Sequence, residues 1–419
     1  MFGNRERPPG FRPEPLPANR RRTVCLVLAA AALILFVRKT DAFLNPQFWA
    51  EDGAVFFLQD YTLGPSAVWE PYAGYLHLFP RLVALVSGAL LPYAALPHAY
   101  NYASLLLNLL VVAGLFSRRL ELPGKPALAL AIVLVPHLTN EVFLSLTNIQ
   151  WVLAILLVAT ILKKPPGKAF GNLPLQWAAD LGTVILCGLT GPFAVLFLPF
   201  FVWKRIRDRG LHATILLAAA ATVAAVQLLT FAGHPPEATG PVIRQIAPYV
   251  EVAGVRCFGN LFLGKSLPHH VSPWALLALL IGLLACLLHR AAREGRQYPA
   301  AVLLGCGTIV VLATLYKFRS DPGTLVPSSA GPRYFFLFHV VVVWCLVLLM
   351  EKRNTWRRHL TLSLLGLALL SSLTSGFHSR PFIDYQWAAR SAQIGQKDLV
   401  IPLNPKGWSM AVPANRDRH

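Results

Sequence analysis

The sequence predicts an all-α polytopic membrane protein of about eleven transmembrane helices. Its N-terminus is expected inside, its C-terminus outside, and interfacial helices in the first outer loop. Three observations carry that class. The chain has 419 residues, 55% hydrophobic and only 14% charged, whereas a soluble globular chain carries roughly 25% charged residues. Long apolar runs recur from one end to the other. The basic residues cluster in short segments between alternate runs, as the positive-inside rule requires. Helices are expected because backbone polar groups in lipid must pair within their own segment.

Residues 1–22 are rich in Pro and Arg and read as a disordered cytoplasmic tail. Residues 23–375 form the bundle. The first span, 23–40, follows Arg20-Arg21-Arg22 and ends on Arg38-Lys39 with no small-residue cleavage site, so it reads as a retained signal anchor. Residues 38–99 make the first periplasmic loop. Further spans are expected at 100–117, 126–142, 149–162, 177–190, 192–203, 211–231, 273–289, 299–316, 334–350 and 359–375. The run Gly74–Pro97 is apolar enough to span, but it contains Pro80 and Arg81, and a crossing there would invert every later loop. It reads instead as an interfacial element. With that choice most of the 38 Lys and Arg fall on one side. The net charge of +19 is then an orientation signal, and nucleic acid is not an expected partner. Residues 376–419 form a periplasmic segment ending in "IPLNPKGW" (Ile401–Trp408), which reads as a small packed lid with a strand-like piece. The six cysteines show neither a disulfide framework nor a Cys-x-x-Cys metal motif.

Chemistry-bearing residues concentrate in the outer segments. "FWAEDGAVFF" sets Glu51 and Asp52 side by side among aromatic residues, with Gly53 to bend the chain. Apolar neighbours raise a carboxylate's pKa toward the range of a general base; a solvated loop pair or a helix N-terminus is the plainer alternative. "WEPYAGYLHLFPRL" gathers Tyr72, Tyr75, His77 and Arg81, suited to a sugar or a headgroup or simply to an aromatic belt. "LTNEVFLSLTNIQW" supplies Asn148 and Gln150, which also serve as helix caps. "LYKFRSDPGTLVPSSAGPRYFF" places Lys317, Arg319 and Arg333 where the rule expects few cations. They suit a phosphate clamp or snorkelling side chains.

The order of these motifs resembles the type C (GT-C) membrane glycosyltransferase superfamily, whose members use polyprenyl-phosphate-linked sugars. "AEDG" is similar to the acidic motif of that family's first outer loop, "PYAGYLHLFPRL" to its second surface helix, and "GPRYFF" to a late Arg-Tyr motif near the donor phosphate. The likeness covers most of the first 205 residues and is thin afterwards. It implies an inverting transferase in the bacterial cytoplasmic (inner) membrane. Such an enzyme is multi-pass, faces the periplasm and builds a cell-envelope glycan. Its partners would be a polyprenyl-phosphate sugar donor, a glycan, lipid or protein acceptor, and membrane lipids. Asp52 would be the base. Glu51 would hold the sugar, the acceptor or a divalent metal, Mg2+ or Mn2+, with Asp52 as its other ligand. Arg81 and Arg333 would hold the donor phosphate, followed by Lys317 and Arg319, and Tyr72, Tyr75, His77, Asn148 and Gln150 would line the substrate. A transporter or flippase for polyprenyl-linked lipid or polysaccharide is the alternative; it needs polar residues within the spans, and only a few stand there, Asn108, His137, Asp180 and Gln227. A non-catalytic assembly protein is the third.

Overall fold

A computed structural model describes residues 20–235, 240–350, 355–377 and 381–414. The tail expected over 1–22 lies outside the described residues as far as residue 19. The first helix starts at Arg20 and runs to Arg38.

Two helices form the centre. Ile149–Leu162 is buried at every position, and Arg333–Leu348 at nearly every one. Both are apolar all round, and a helix with no polar face must be enclosed. Ile149–Leu162 packs against helices Leu96–Gly114, Leu173–Gly188, Phe193–Asp208, Gln297–Lys317 and Arg333–Leu348. Its C-terminal end is set by Lys163, which is no longer helical, and by Pro165-Pro166 beyond it.

The eleven-span expectation is corrected here. Among the described residues three helices are long and apolar enough to cross a membrane: Leu211–Gly233, Pro273–Arg293 and Gln297–Lys317. A crossing takes roughly 20 apolar residues. The apolar run 126–142 stops as a helix at Leu134, just ahead of Pro136. Ile149–Leu162 has 14 residues and Arg333–Leu348 has 16. Phe193–Asp208 ends in the charged sequence KRIRD, and Arg20–Arg38 carries arginines at both ends. Leu96–Gly114 buries a polar stripe of Asn101, Ser104 and Asn108 on one face. The alternation that supported the N-in/C-out orientation and a multi-pass inner-membrane location is therefore not carried by this fold. Nor is the fold purely helical: β1 (Leu399–Leu403) pairs antiparallel with β2 (Trp408–Val412).

Two packing arrangements place the candidate site. First, the C-terminal segment caps the stretch after the first helix. The Phe48 ring lies edge-on to Trp387 at 4.7 Å, and Phe57 does so at 5.7 Å. Gly53 is not a bend. It lies inside a π-helix, Asp52–Phe57, where an added Cβ would sit 3.0 Å from the Leu403 side chain, so glycine is there for close packing with β1. Second, residues 76–79 are zipped to residues 188–191. Gly191 N–H donates to Leu76 O (3.1 Å), Leu78 N–H to Leu189 O (3.0 Å), and Phe79 N–H to the Thr190 hydroxyl (3.1 Å). Gln227 locks the junction. Its carbonyl accepts from Leu76 N–H at 2.9 Å, and its amide donates to the carbonyls of Gly188 and Gly191, each at 3.1 Å. Gln227→Leu strands the buried Leu76 N–H. It is expected to lower the unfolding free energy by about 2 kcal/mol, measured by equilibrium denaturation; an unchanged value would mean that the backbone pairs hold the junction alone.

Candidate functional site

Asp52 opens the π-helix and is 2% exposed. Its carboxylate accepts from Thr147 N–H at 2.7 Å, from the Thr147 hydroxyl at 2.6 Å and from Leu146 N–H at 3.2 Å. Burial pushes its pKa up from 3.8 to about 6, against the lowering effect of the Thr147 hydrogen bonds. Lys39 stands behind it. The Lys39 ammonium donates to the carbonyls of Phe143 (3.0 Å) and Leu144 (3.4 Å) and lies 5.2 Å over both the Trp49 and Phe382 rings. Burial lowers its pKa to about 8, and Asp52 and Glu141 pull the other way. Asp52 thus pins residues 146–147 from inside the fold, while its neighbour Glu51 is half-buried.

Glu51 belongs to a cluster drawn from four stretches of chain. It accepts from the Tyr72 hydroxyl at 3.3 Å, and its charge reaches Arg333. Arg333 is held by Glu141 through its guanidinium (2.7 Å) and its backbone N–H (3.1 Å). That side chain keeps 31% of its surface exposed. Desolvation by itself would lower its pKa; Glu141, Tyr334 and Glu51 outweigh it and raise the pKa, so Arg333 stays charged. Lys317 donates to the Tyr334 hydroxyl at 3.1 Å and makes no ion pair among the described residues. The Tyr75 hydroxyl feels Lys317, Tyr334 and Arg333. Burial raises the pKa values of both Tyr72 and Tyr75, so both phenols stay neutral donors. Two buried polar atoms at this place lack partners: Gln150 Oε1 and Trp151 Nε1. Trp151 lies edge-on to Tyr334 at 5.3 Å.

The remaining candidates lie elsewhere or serve the frame. His77 is 1% exposed, stacks on Tyr75 at 4.7 Å, and is driven down to about 3 by burial; it is a neutral ring that fixes Tyr75. Arg81 is 1% exposed, over Phe56 at 5.1 Å, and donates to Glu70 O at 2.9 Å. Its charge neighbours are Glu70, Tyr100 and Asp60, none of them in the Glu51 cluster. Arg319 folds back on Tyr316, donating to its carbonyl at 2.9 Å. Asn148 is buried before the Ile149–Leu162 helix, 3.5 Å from the Ser145 hydroxyl. Residues that sequence reasoning did not assign are Lys39, Thr147, Trp151 and Tyr334. Thr147 and Trp151 lie within the motifs of the outer segments, but nothing in their spacing marks them; Tyr334 entered only as the tyrosine of the Arg-Tyr likeness. Among the described residues no group of three or more His, Cys, Asp and Glu gathers to hold a metal ion.

Compared with protein-family models, curated proteins and solved structures, the chain matches none. The likeness to type C glycosyltransferases is therefore corrected. The many-span helical scaffold in which that family moves a lipid-linked sugar requires far more than three helices able to cross a membrane. The same finding removes the inverting transferase, its flippase alternative, and the assignment to a multi-pass inner-membrane enzyme of cell-envelope glycan.

Proposed function

We propose that the protein binds a small hydroxyl-bearing phosphate at the Glu51–Tyr72–Tyr75–Lys317–Arg333 cluster. The observation that supports this reading most is Lys317, a cation with no carboxylate partner among the described residues, set with the exposed part of Arg333 around Tyr75 and Tyr334. A phosphate oxygen takes charge-assisted hydrogen bonds from both cations and from a neutral phenol. Glu51 and the unpartnered Gln150 Oε1 accept from ligand hydroxyls, and the Tyr72 ring offers an apolar wall. Glu141 orients Arg333 and spares Lys317 for the ligand. A lipid-linked phosphate presents the same head chemistry, so a short polyprenyl phosphate belongs in the comparison, as do Mg2+ and Mn2+ for Glu51.

Calorimetric titration with glycerol 3-phosphate, and with glycerol as the neutral control, tests this. Binding of the phosphate and none of glycerol is expected. Lys317→Gln is expected to weaken it about tenfold, the worth of one hydrogen bond to a charged group. Arg333→Lys also weakens it, since an ammonium cannot reproduce the guanidinium fork. Wild-type affinity in both variants would remove the ligand from this cluster.

A further inference from the structure

A second polar centre lies at the other end of the Ile149–Leu162 helix, about 21 Å away at 1.5 Å per residue. It shares no residue with the Glu51 cluster. Asp180, fully buried, is met by Arg119 at 2.5 Å, Lys163 at 3.1 Å and His212 Nε2 at 3.1 Å. Burial would raise the Asp180 pKa, but His212, Lys163 and Arg119 hold it down at about 2. One carboxylate thus faces two permanent cations. Nearby, Lys125 donates to Ser117 O at 2.7 Å, and Arg20 lies close enough to Arg118 for their like charges to oppose each other. Glu121 is taken by Lys164 at 2.6 Å. Arg118 makes no ion pair among the described residues. The turn therefore carries surplus positive charge. A cavity of about 200 Å³ opens onto it, lined by Ser117, Arg118, Arg119, Lys163, Asn172 and Asp180. The N-terminus of the Leu173–Gly188 helix borders the cavity and adds its partial positive charge.

We propose that this cavity binds a phosphate group. Arg118 and Lys163 donate to the phosphate oxygens. Asp180 fixes Arg119 and Lys163, and the phosphate neutralises the charge that Asp180 leaves unmatched. The group can arrive as free phosphate or as a phospholipid headgroup; both present the same oxygens.

The test uses the full-length chain with inorganic phosphate, followed by calorimetry and by 31P line broadening. Two sites are expected. Arg118→Gln, a change at a side chain without an ion pair, weakens one of them about tenfold, and Lys317→Gln weakens the other. A parallel arm measures co-sedimentation with phosphatidylcholine vesicles with and without phosphatidylglycerol. A response to Arg118→Gln only with phosphatidylglycerol assigns the site to a lipid headgroup. If neither Arg118→Gln nor Lys163→Gln changes phosphate or vesicle binding, the proposal is overturned. Loss confined to Lys317→Gln would overturn it and leave the Glu51 cluster standing.

Discussion

Asp180→Ala is expected to lower the unfolding free energy by about 3–5 kcal/mol, the usual loss when one partner of a buried ion pair is removed. Asp180 is fully buried, and it is the carboxylate that Arg119 and Lys163 share. The Arg119 side chain is only 3% exposed, so without Asp180 its charge stays largely buried with no carboxylate to meet it. Its remaining bond, from Nε to Lys164 O at 2.8 Å, does not compensate a full charge. Replacing Asp180 and Arg119 together, Asp180→Asn with Arg119→Leu, is expected to recover part of the loss, because the more deeply buried of the two cations left unpaired is then gone. Equilibrium denaturation of the single and double variants measures this. A single variant as stable as the parent would mean that water reaches Arg119.

Lowering the pH from 7 toward 4 is expected to stabilise the fold through Asp52. Its folded pKa, about 6, lies above the ordinary 3.8. Between those values the folded carboxyl keeps a proton that the unfolded one has released. The folded state then binds more protons, so stability falls as pH rises through that window. The change is about 3 kcal/mol at most, since each tenfold difference in proton affinity between the two states is worth about 1.4 kcal/mol. Asp52→Asn removes the Asp52 part of the slope; the part that remains runs the other way, because buried His77, held at about 3 against an ordinary 6.5, loses stability as pH falls. The amide adds a constant offset, since its N–H2 group competes with the Leu146 and Thr147 donors. The slope of stability against pH from about 4.5 to 7.5 is therefore the readout. An unchanged slope in Asp52→Asn would assign the effect to another group.

The sequence located helices better than it located their surroundings. The runs 211–231, 273–289 and 299–316 correspond to helices Leu211–Gly233, Pro273–Arg293 and Gln297–Lys317. Ile149–Leu162 and Arg333–Leu348 are just as apolar, yet they are covered by other helices of this chain. Composition does not distinguish a lipid-facing helix from one enclosed by protein, because both lack a polar face. Arg38 shows the same ambiguity. As a flanking arginine it reads as an anchor for a span. In the fold it is fully buried and donates to Val133 O (2.9 Å), Val135 O (3.1 Å) and Asn140 Oδ1 (3.0 Å), closing the C-terminal end of the Lys125–Leu134 helix. In the site, Glu51, Tyr72, Tyr75, Gln150, Lys317 and Arg333 come from segments far apart in sequence and meet in space. Arg81 and Arg319 carry the same charge in the same motifs but turn to other neighbours. Residue type was legible; which way each side chain faces depends on packing that spacing does not encode.

The most direct measurement is a crystal of the full-length chain soaked in tungstate, an electron-dense stand-in for phosphate. Anomalous density between the Lys317 ammonium and the Arg333 guanidinium, bordered by the hydroxyls of Tyr75 and Tyr334, is the expected result. Tungstate bound elsewhere while Lys317 and Arg333 stay bare would contradict the binding site drawn here.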